Sequence, residues 1–253
     1  MKVLPVLLRL GGLALLLAFL VAPVAFEPVF APLTEFGQPA IYSQDNLLSL
    51  ALAHLSTVCT AVIVSTIFAV SLGIFVTRPF GREFMPLSRS IANIGQTFPP
   101  VAVLAMAVPA VGFGEAPTLI ALFLYGLLPI LENTISGLLQ VPAPVLDAAR
   151  GVGMSERQSL WQVELPLATP VILEGVRVSA VINLGTATIG STVAAKGLGE
   201  VIVAGLLSSN TAYILQGGMV VGLMAVLLYD GLQILERRAS RVLGTAFSTG
   251  DHS

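Results

Sequence analysis

Cysteine, histidine, tryptophan and charge are all scarce in this 253-residue chain, and each scarcity removes a class of function. The single cysteine, Cys59, excludes an internal disulfide and offers no thiolate cluster for a metal. His54 and His252 are the only histidines and stand far apart in sequence, which leaves metal catalysis few ligands. Charged residues make up 10% of the chain, where soluble domains carry about 25%. A net charge of -2 gives neither a basic surface for nucleic acid nor a polybasic membrane-surface segment. No G-x-x-x-x-G-K-S/T run occurs, so the chain lacks that phosphate-cradling loop.

Apolar residues supply 55% of the chain, and the mean hydropathy is +0.91. A helix needs about 20 mostly apolar residues to cross a bilayer. Six segments qualify: 6–26, 48–77, 89–111, 117–139, 167–194 and 212–235. The first also reads as a signal peptide, given Lys2, Arg9 and Ala25, although its apolar run is long and Pro23 stands at the wrong place. Cations then orient the chain. Of twelve Lys and Arg residues, ten fall on one side if the N-terminus is cytoplasmic. Lys196 falls on the other, and Arg177 lies within a span. The expectation is an all-α integral membrane protein with six transmembrane helices and both termini cytoplasmic. Residues 1–27 hold the first helix, 28–47 an external loop, 48–235 the core and 236–253 a cytoplasmic tail. Thr245–Ser253 reads as disordered, and Gly197–Leu207 as a short re-entrant or surface-lying helix.

The polar loop 142–166 interrupts this pattern. Pro142 and Pro144 end the fourth span. Val145–Arg150 is expected to form a short helix, with Asp147 near its positive end. Ala148 and Ala149 are small enough for another backbone to approach. Gly151 and Gly153 are expected to break the helix with positive φ. Ser155 and Gln158 have the spacing of a capping box for a second helix, which stops before Pro166. Val145, Leu146, Val152, Met154, Leu160 and Trp161 are then exposed unless a partner covers them.

The run Asp147-Ala-Ala-Arg-Gly-Val-Gly153, with Val163-Glu-Leu-Pro166 following, resembles the cytoplasmic E-A-A-x3-G-x9-I-x-L-P loop of ABC importer permeases. Asp147 stands for the leading Glu and Val163 for Ile. The resemblance to type I binding-protein-dependent permeases covers roughly 48–235. It narrows to the osmoprotectant branch through His54-Leu, Gln96-Thr-Phe-Pro-Pro100, Ala121–Ile130 with Asn133-Thr134, Gly175-Val-Arg177, Val181–Thr188 and Gly197-Leu-Gly199. Glu132, where that branch suggests a basic residue, and Glu174 are departures.

The resemblance implies a type I permease fold and a docking site for an ATPase at Leu146, Asp147, Ala148, Ala149, Arg150, Gly151, Gly153, Met154 and Ser155. It also implies two ATPase subunits, a second permease copy or related permease, and a periplasmic or lipid-anchored solute receptor, in a bacterial-type inner membrane. This chain then binds no cofactor, and ATP and Mg sit on the partner ATPase.

Polar residues within the spans are the candidate translocation pathway: Gln96, Thr97, Glu174, Arg177, Asn183, Thr186 and Thr188. An unpaired Arg177 costs several kcal/mol at membrane depth, on the order of 3 or more, so Glu174 is expected to pair with it one turn away. That pair reads first as a structural bridge that snorkels to the cytoplasmic interface, and second as lining of the solute path or inner gate. The threonines and Asn183 read as lining or as ordinary helix packing. His54 reads as packed, and Asp230 as the partner of a basic residue. An intramembrane enzyme would need a catalytic pair, such as a second Asp beside Asp230 or a His facing a nucleophile, and a passive channel or assembly scaffold would not need the loop. Because the spans hold few aromatics, a quaternary ammonium solute would be recognised mainly by the receptor.

Overall fold

Prolines and glycines set the boundaries in the computed structural model, which describes residues 3–35 and 37–242, and every regular element among them is helical. The helices are α1 (Val3–Val21), α2 (Leu47–Thr77), α3 (Met85–Thr97), α4 (Pro100–Val111) and α5 (Glu115–Leu139). They continue with α6 (Ala143–Gly151), α7 (Glu156–Val193), α8 (Gly199–Leu207) and α9 (Thr211–Val242). Helices α2, α5, α7 and α9 are each long and apolar enough to cross a membrane. Two bent pairs bring the crossings to six: α1 with the short turns Pro23–Leu33, and Arg82–Thr97 with α4. Lys2 and the tail Thr245–Ser253, including His252, lie outside the described residues.

Three expectations about helix boundaries need correction. The first span does not continue to residue 26. Helix α1 ends at Val21 and the chain turns by 111° into three short turns, each with a proline at its first or second position. Pro23, Pro28 and Pro32 each lack the N–H that would prolong the preceding helix. Segment 89–111 does kink at Pro99-Pro100, as those prolines lead one to expect, with α3 and α4 meeting at 97°. Phe98 and Pro99 both adopt extended backbone there, as residues preceding proline prefer.

The helix after the loop does not stop before Pro166. A π-helical turn over Leu160–Glu164, closed by the Leu165 N–H on the Leu160 carbonyl, carries it straight through. The wider turn relieves the clash a proline ring makes with the carbonyl four residues back. Finally, residues 236–242 are not tail but the last turns of α9.

Helices α2, α5 and α7 pack side by side around Ala69, Val76, Ile130, Leu131 and Ile135, with Leu138, Ala168 and Ile172 below. A larger cluster joins α1, α2, α7, α8 and α9 through Leu16, Leu50, Leu184, Val201 and Val220, with Leu198 at the start of α8. Ion pairs gather toward the end where most cations were expected. Arg9 meets Asp230 at 2.8 Å, Arg78 meets Glu164 at 2.6 Å, and Arg89 meets Glu132 at 3.0 Å. Asp45 and Lys196, 3.0 Å apart, are the pair at the opposite end. Glu132 therefore departs from the basic pattern by accepting a cation from α3.

Candidate functional site: a docking loop and a polar interior

Local chemistry explains the shape of the 142–166 loop. Pro142 caps α6 from an extended conformation, and the helix runs to Gly151. The Met154 N–H then reaches the Ala149 carbonyl at 3.0 Å, and the Gly153 N–H reaches Arg150 at 2.9 Å. These are the two bonds of a Schellman motif, which needs a left-handed residue at the Gly153 position. Gly153 supplies it with φ +82°, whereas Gly151 remains helical, so only one of the two glycines breaks the helix.

Asp147 is not in the first turn of α6; it is exposed and accepts from Arg150 at 3.1 Å. Ala149 is buried while Ala148 is exposed. The capping box forms as expected, with Gln158 N–H on the Ser155 hydroxyl and Ser155 N–H on the Gln158 side chain. Val145, Val152 and Trp161 project outward, Val152 with 75% and Trp161 with 69% of their surface exposed. Leu146, Met154 and Leu160 are half-buried.

The interior residues separate into three groups. At the α3–α4 bend, Gln96 donates to the Tyr125 carbonyl at 3.0 Å, and the Tyr125 hydroxyl donates to the Phe98 carbonyl. Thr97 is exposed and caps its own helix by donating to Ile94. Gln96 and Tyr125 thus brace the bend from both sides.

Nearer the cation-rich end, Arg177 does meet Glu174, at 3.6 Å, but its closer partner is Glu236 of α9 at 2.7 Å. Its guanidinium also lies 4.7 Å from the centre of the Tyr229 ring. A charge at membrane depth is tolerated because two carboxylates and an aromatic face surround it.

In the middle of the bundle, Gly126 of α5 lets three polar side chains converge. A Cβ there would lie 2.6 Å from the Ser179 Oγ, 2.8 Å from the Asn183 Nδ2 and 3.2 Å from the Ser65 Oγ. Asn183 and Ser179 are fully buried. Thr186 and Thr188 donate back to the carbonyls of Ile182 and Gly185. Asn183 therefore faces α2 and α5 in this conformation, while Thr188 lies closer to the surface. His54 is packed, donating from Nε2 to the Leu184 carbonyl at 2.9 Å. Asp230 is paired with Arg9 as expected.

The bundle thus carries a capped, outward-facing loop at its charged end. The family described as binding-protein-dependent transport system inner membrane component matches residues 69–241. The chain belongs to this family.

The permease is 40% identical to the osmoprotectant import permease protein OsmY of Salmonella typhimurium, over 78% of this chain and 84% of that one. It is 37% identical to the choline transport system permease protein OpuBB of Bacillus subtilis, over 76% and 88%. An inward-facing structure of the MetNI methionine ABC transporter covers 78% of the permease and 95% of its own chain. Its TM-score is 0.64 at 21% identity, a likeness of fold.

Several bonds escaped the sequence because their partners are distant along the chain. Arg78 holds Glu164 with two hydrogen bonds, at 2.6 and 3.2 Å. Gln216, fully buried in α9, accepts from the Tyr42 N–H and donates to the Ala40 carbonyl, fixing the outer loop. The hydrogen bond from Lys196 holds the Asp45 carboxyl below its ordinary range, helped by the Asn46 N–H. Burial, with the nearby Glu200 and Asp45 charges, pushes the Tyr42 phenol up. The sole available signal was that Lys196 is the one cation assigned to its side.

Proposed function

We propose that this chain is the membrane-spanning permease subunit of an ATP-driven importer for a small osmoprotectant of the glycine betaine or choline type. The observation that carries this reading is the similarity, at 36–40% identity over most of the chain, to permeases named for osmoprotectant, choline and carnitine transport. The chain itself contributes the passage and the docking loop. ATP and Mg are held by separate ATPase subunits, which seat on Leu146–Ser155 and leave this chain without a cofactor. A solute receptor delivers cargo on the opposite side, and a second permease copy or a related chain completes the passage in a bacterial inner membrane. Gln96, Thr97, Asn183, Thr186 and Thr188 supply polarity along it, and Glu174 and Arg177 stand at its inner end. Import of another small solute, such as an amino acid or a sulfonate, by the same architecture is the alternative. It draws only on fold, through structures of 15–22% identity.

The test is uptake of labelled glycine betaine and choline by cells lacking this chain, complemented with wild type or Gly153→Asp at matched membrane levels. Wild type restores uptake and the variant does not. Restoration of neither solute overturns the substrate assignment, and uptake indifferent to the variant overturns the docking role of the loop.

A further inference from the structure

We propose that Arg78 and Glu164 are a positioning pair that makes α2 move with the docking loop, so that ATPase motion reaches two helices of the passage rather than one. The inference rests on the importer reading above and concerns how the loop is mechanically joined to the bundle.

The loop has few firm ties to the rest of the chain. Its other ion pair, Asp147 with Arg150, lies within α6 and is exposed. Among the described residues, Arg78–Glu164 is the only ion pair linking 142–166 to another segment. The two terminal guanidinium nitrogens each donate to a different carboxylate oxygen, a geometry that fixes orientation as well as distance. The Ser159 hydroxyl adds a third bond to Glu164 at 3.2 Å. Glu164 is buried and the Arg78 side chain nearly so, which protects the pair from screening.

The placement of the two residues matters as much as their bond. Arg78 is the residue that ends α2. Glu164 closes the π-helical turn, two positions before Pro166. One extra residue in that turn rotates the side chains before it by about 100° relative to those of the transmembrane part, compared with an unbroken α-helix. The turn thus sets the direction in which Glu164 points, and it points to the foot of α2. Helix α7 already joins the loop covalently to Ser179 and Asn183; the pair adds α2, which carries Ser65 on the same polar junction.

The experiment uses the assembled transporter, with its ATPase and receptor, in proteoliposomes loaded with glycine betaine or choline. Arg78→Gln and Glu164→Gln are expected to lower solute moved per ATP hydrolysed about fivefold or more while hydrolysis continues. The exchange Arg78→Glu with Glu164→Arg restores the ratio. A pair that only stabilises the fold would reduce the amount of assembled complex and leave the ratio unchanged, which overturns the proposal.

A second readout needs no solute and covers variants that assemble poorly. Spin labels at Ser71→Cys and Arg157→Cys, on a Cys59→Ser background, report the distance from α2 to the loop. With the conservative Arg78→Lys as a further variant, that distance stays narrow through the ATP cycle in wild type and broadens when the fork is lost. Unchanged distances in all variants overturn the pair while leaving the transport reading intact. A wild type with narrow distances that moves neither solute removes the substrate assignment and leaves the pair standing.

Discussion

Glu236, near the end of α9, holds Arg177 of α7 at 2.7 Å, closer than Glu174 does from one turn away on the same helix. The Arg177 and Glu236 side chains retain 9% and 21% of their exposure, whereas Glu174 keeps 53%. Removing one member of a buried pair strands the other, at a cost of about 3–5 kcal/mol. Glu236→Gln is therefore expected to lower the apparent melting temperature of the purified permease sharply. Glu174→Gln changes stability by less than about 1 kcal/mol. Thermal unfolding of the two variants in detergent checks the ranking, and equal losses would refute it.

The two loop glycines make opposite forecasts. Gly153→Ala forces a side chain into left-handed backbone at a cost of about 1–2 kcal/mol. Gly151→Ala adds a methyl to a helical residue with open space around it and costs nothing. Hydrogen exchange of the Gly153 and Met154 amides, which the Schellman bonds protect, should quicken roughly 5- to 30-fold in the first variant and hold steady in the second.

Gly126→Ala places a methyl 2.6 Å from the Ser179 Oγ and 2.8 Å from the Asn183 amide. Overpacking of this kind costs about 1–3 kcal/mol. Combining it with Ser179→Ala is expected to recover part of that loss, because the nearest clashing atom is removed. A double-mutant cycle on unfolding measures the coupling, and strictly additive losses would contradict the geometry.

The outer ion pair carries a pH signature. Because Asp45 is held below its ordinary range by Lys196, its contribution is present above the unfolded carboxylate value of about 3.9. It is lost only as pH falls through the lower folded value. For Tyr42, raised by burial, the sign is reversed: its contribution holds below the unfolded value of about 10 and fades as pH rises beyond it. Brief amine labelling of Lys196, read by mass spectrometry, should therefore be lower in wild type than in Asp45→Asn at pH 7.

Legibility from sequence followed the range of the interactions. The capping box and the turn at Gly153 depend on residues within one or two turns, so their spacing could be read directly. The six crossings followed from hydropathy. Pro99 and Pro100 marked one bend, the bend before Pro23 was missed, and neither 111° nor 97° could be read, since those angles depend on what each half packs against. Pro166 misled because a π-helical turn, which has no spacing signature, absorbed it. Glu174 was visible as a partner for Arg177 at i,i+3, and Glu236 was not, because only folding brings α9 alongside.

At 38 residues, Glu156–Val193 is on the order of 55 Å long, nearly twice the thickness of the hydrocarbon it crosses. A rod of that length held near its middle behaves as a lever. A few degrees of tilt applied at Trp161 become about 1–2 Å of travel at Thr188, in the opposite direction. Opening one end and closing the other are then a single movement, with no signal to be relayed along the way.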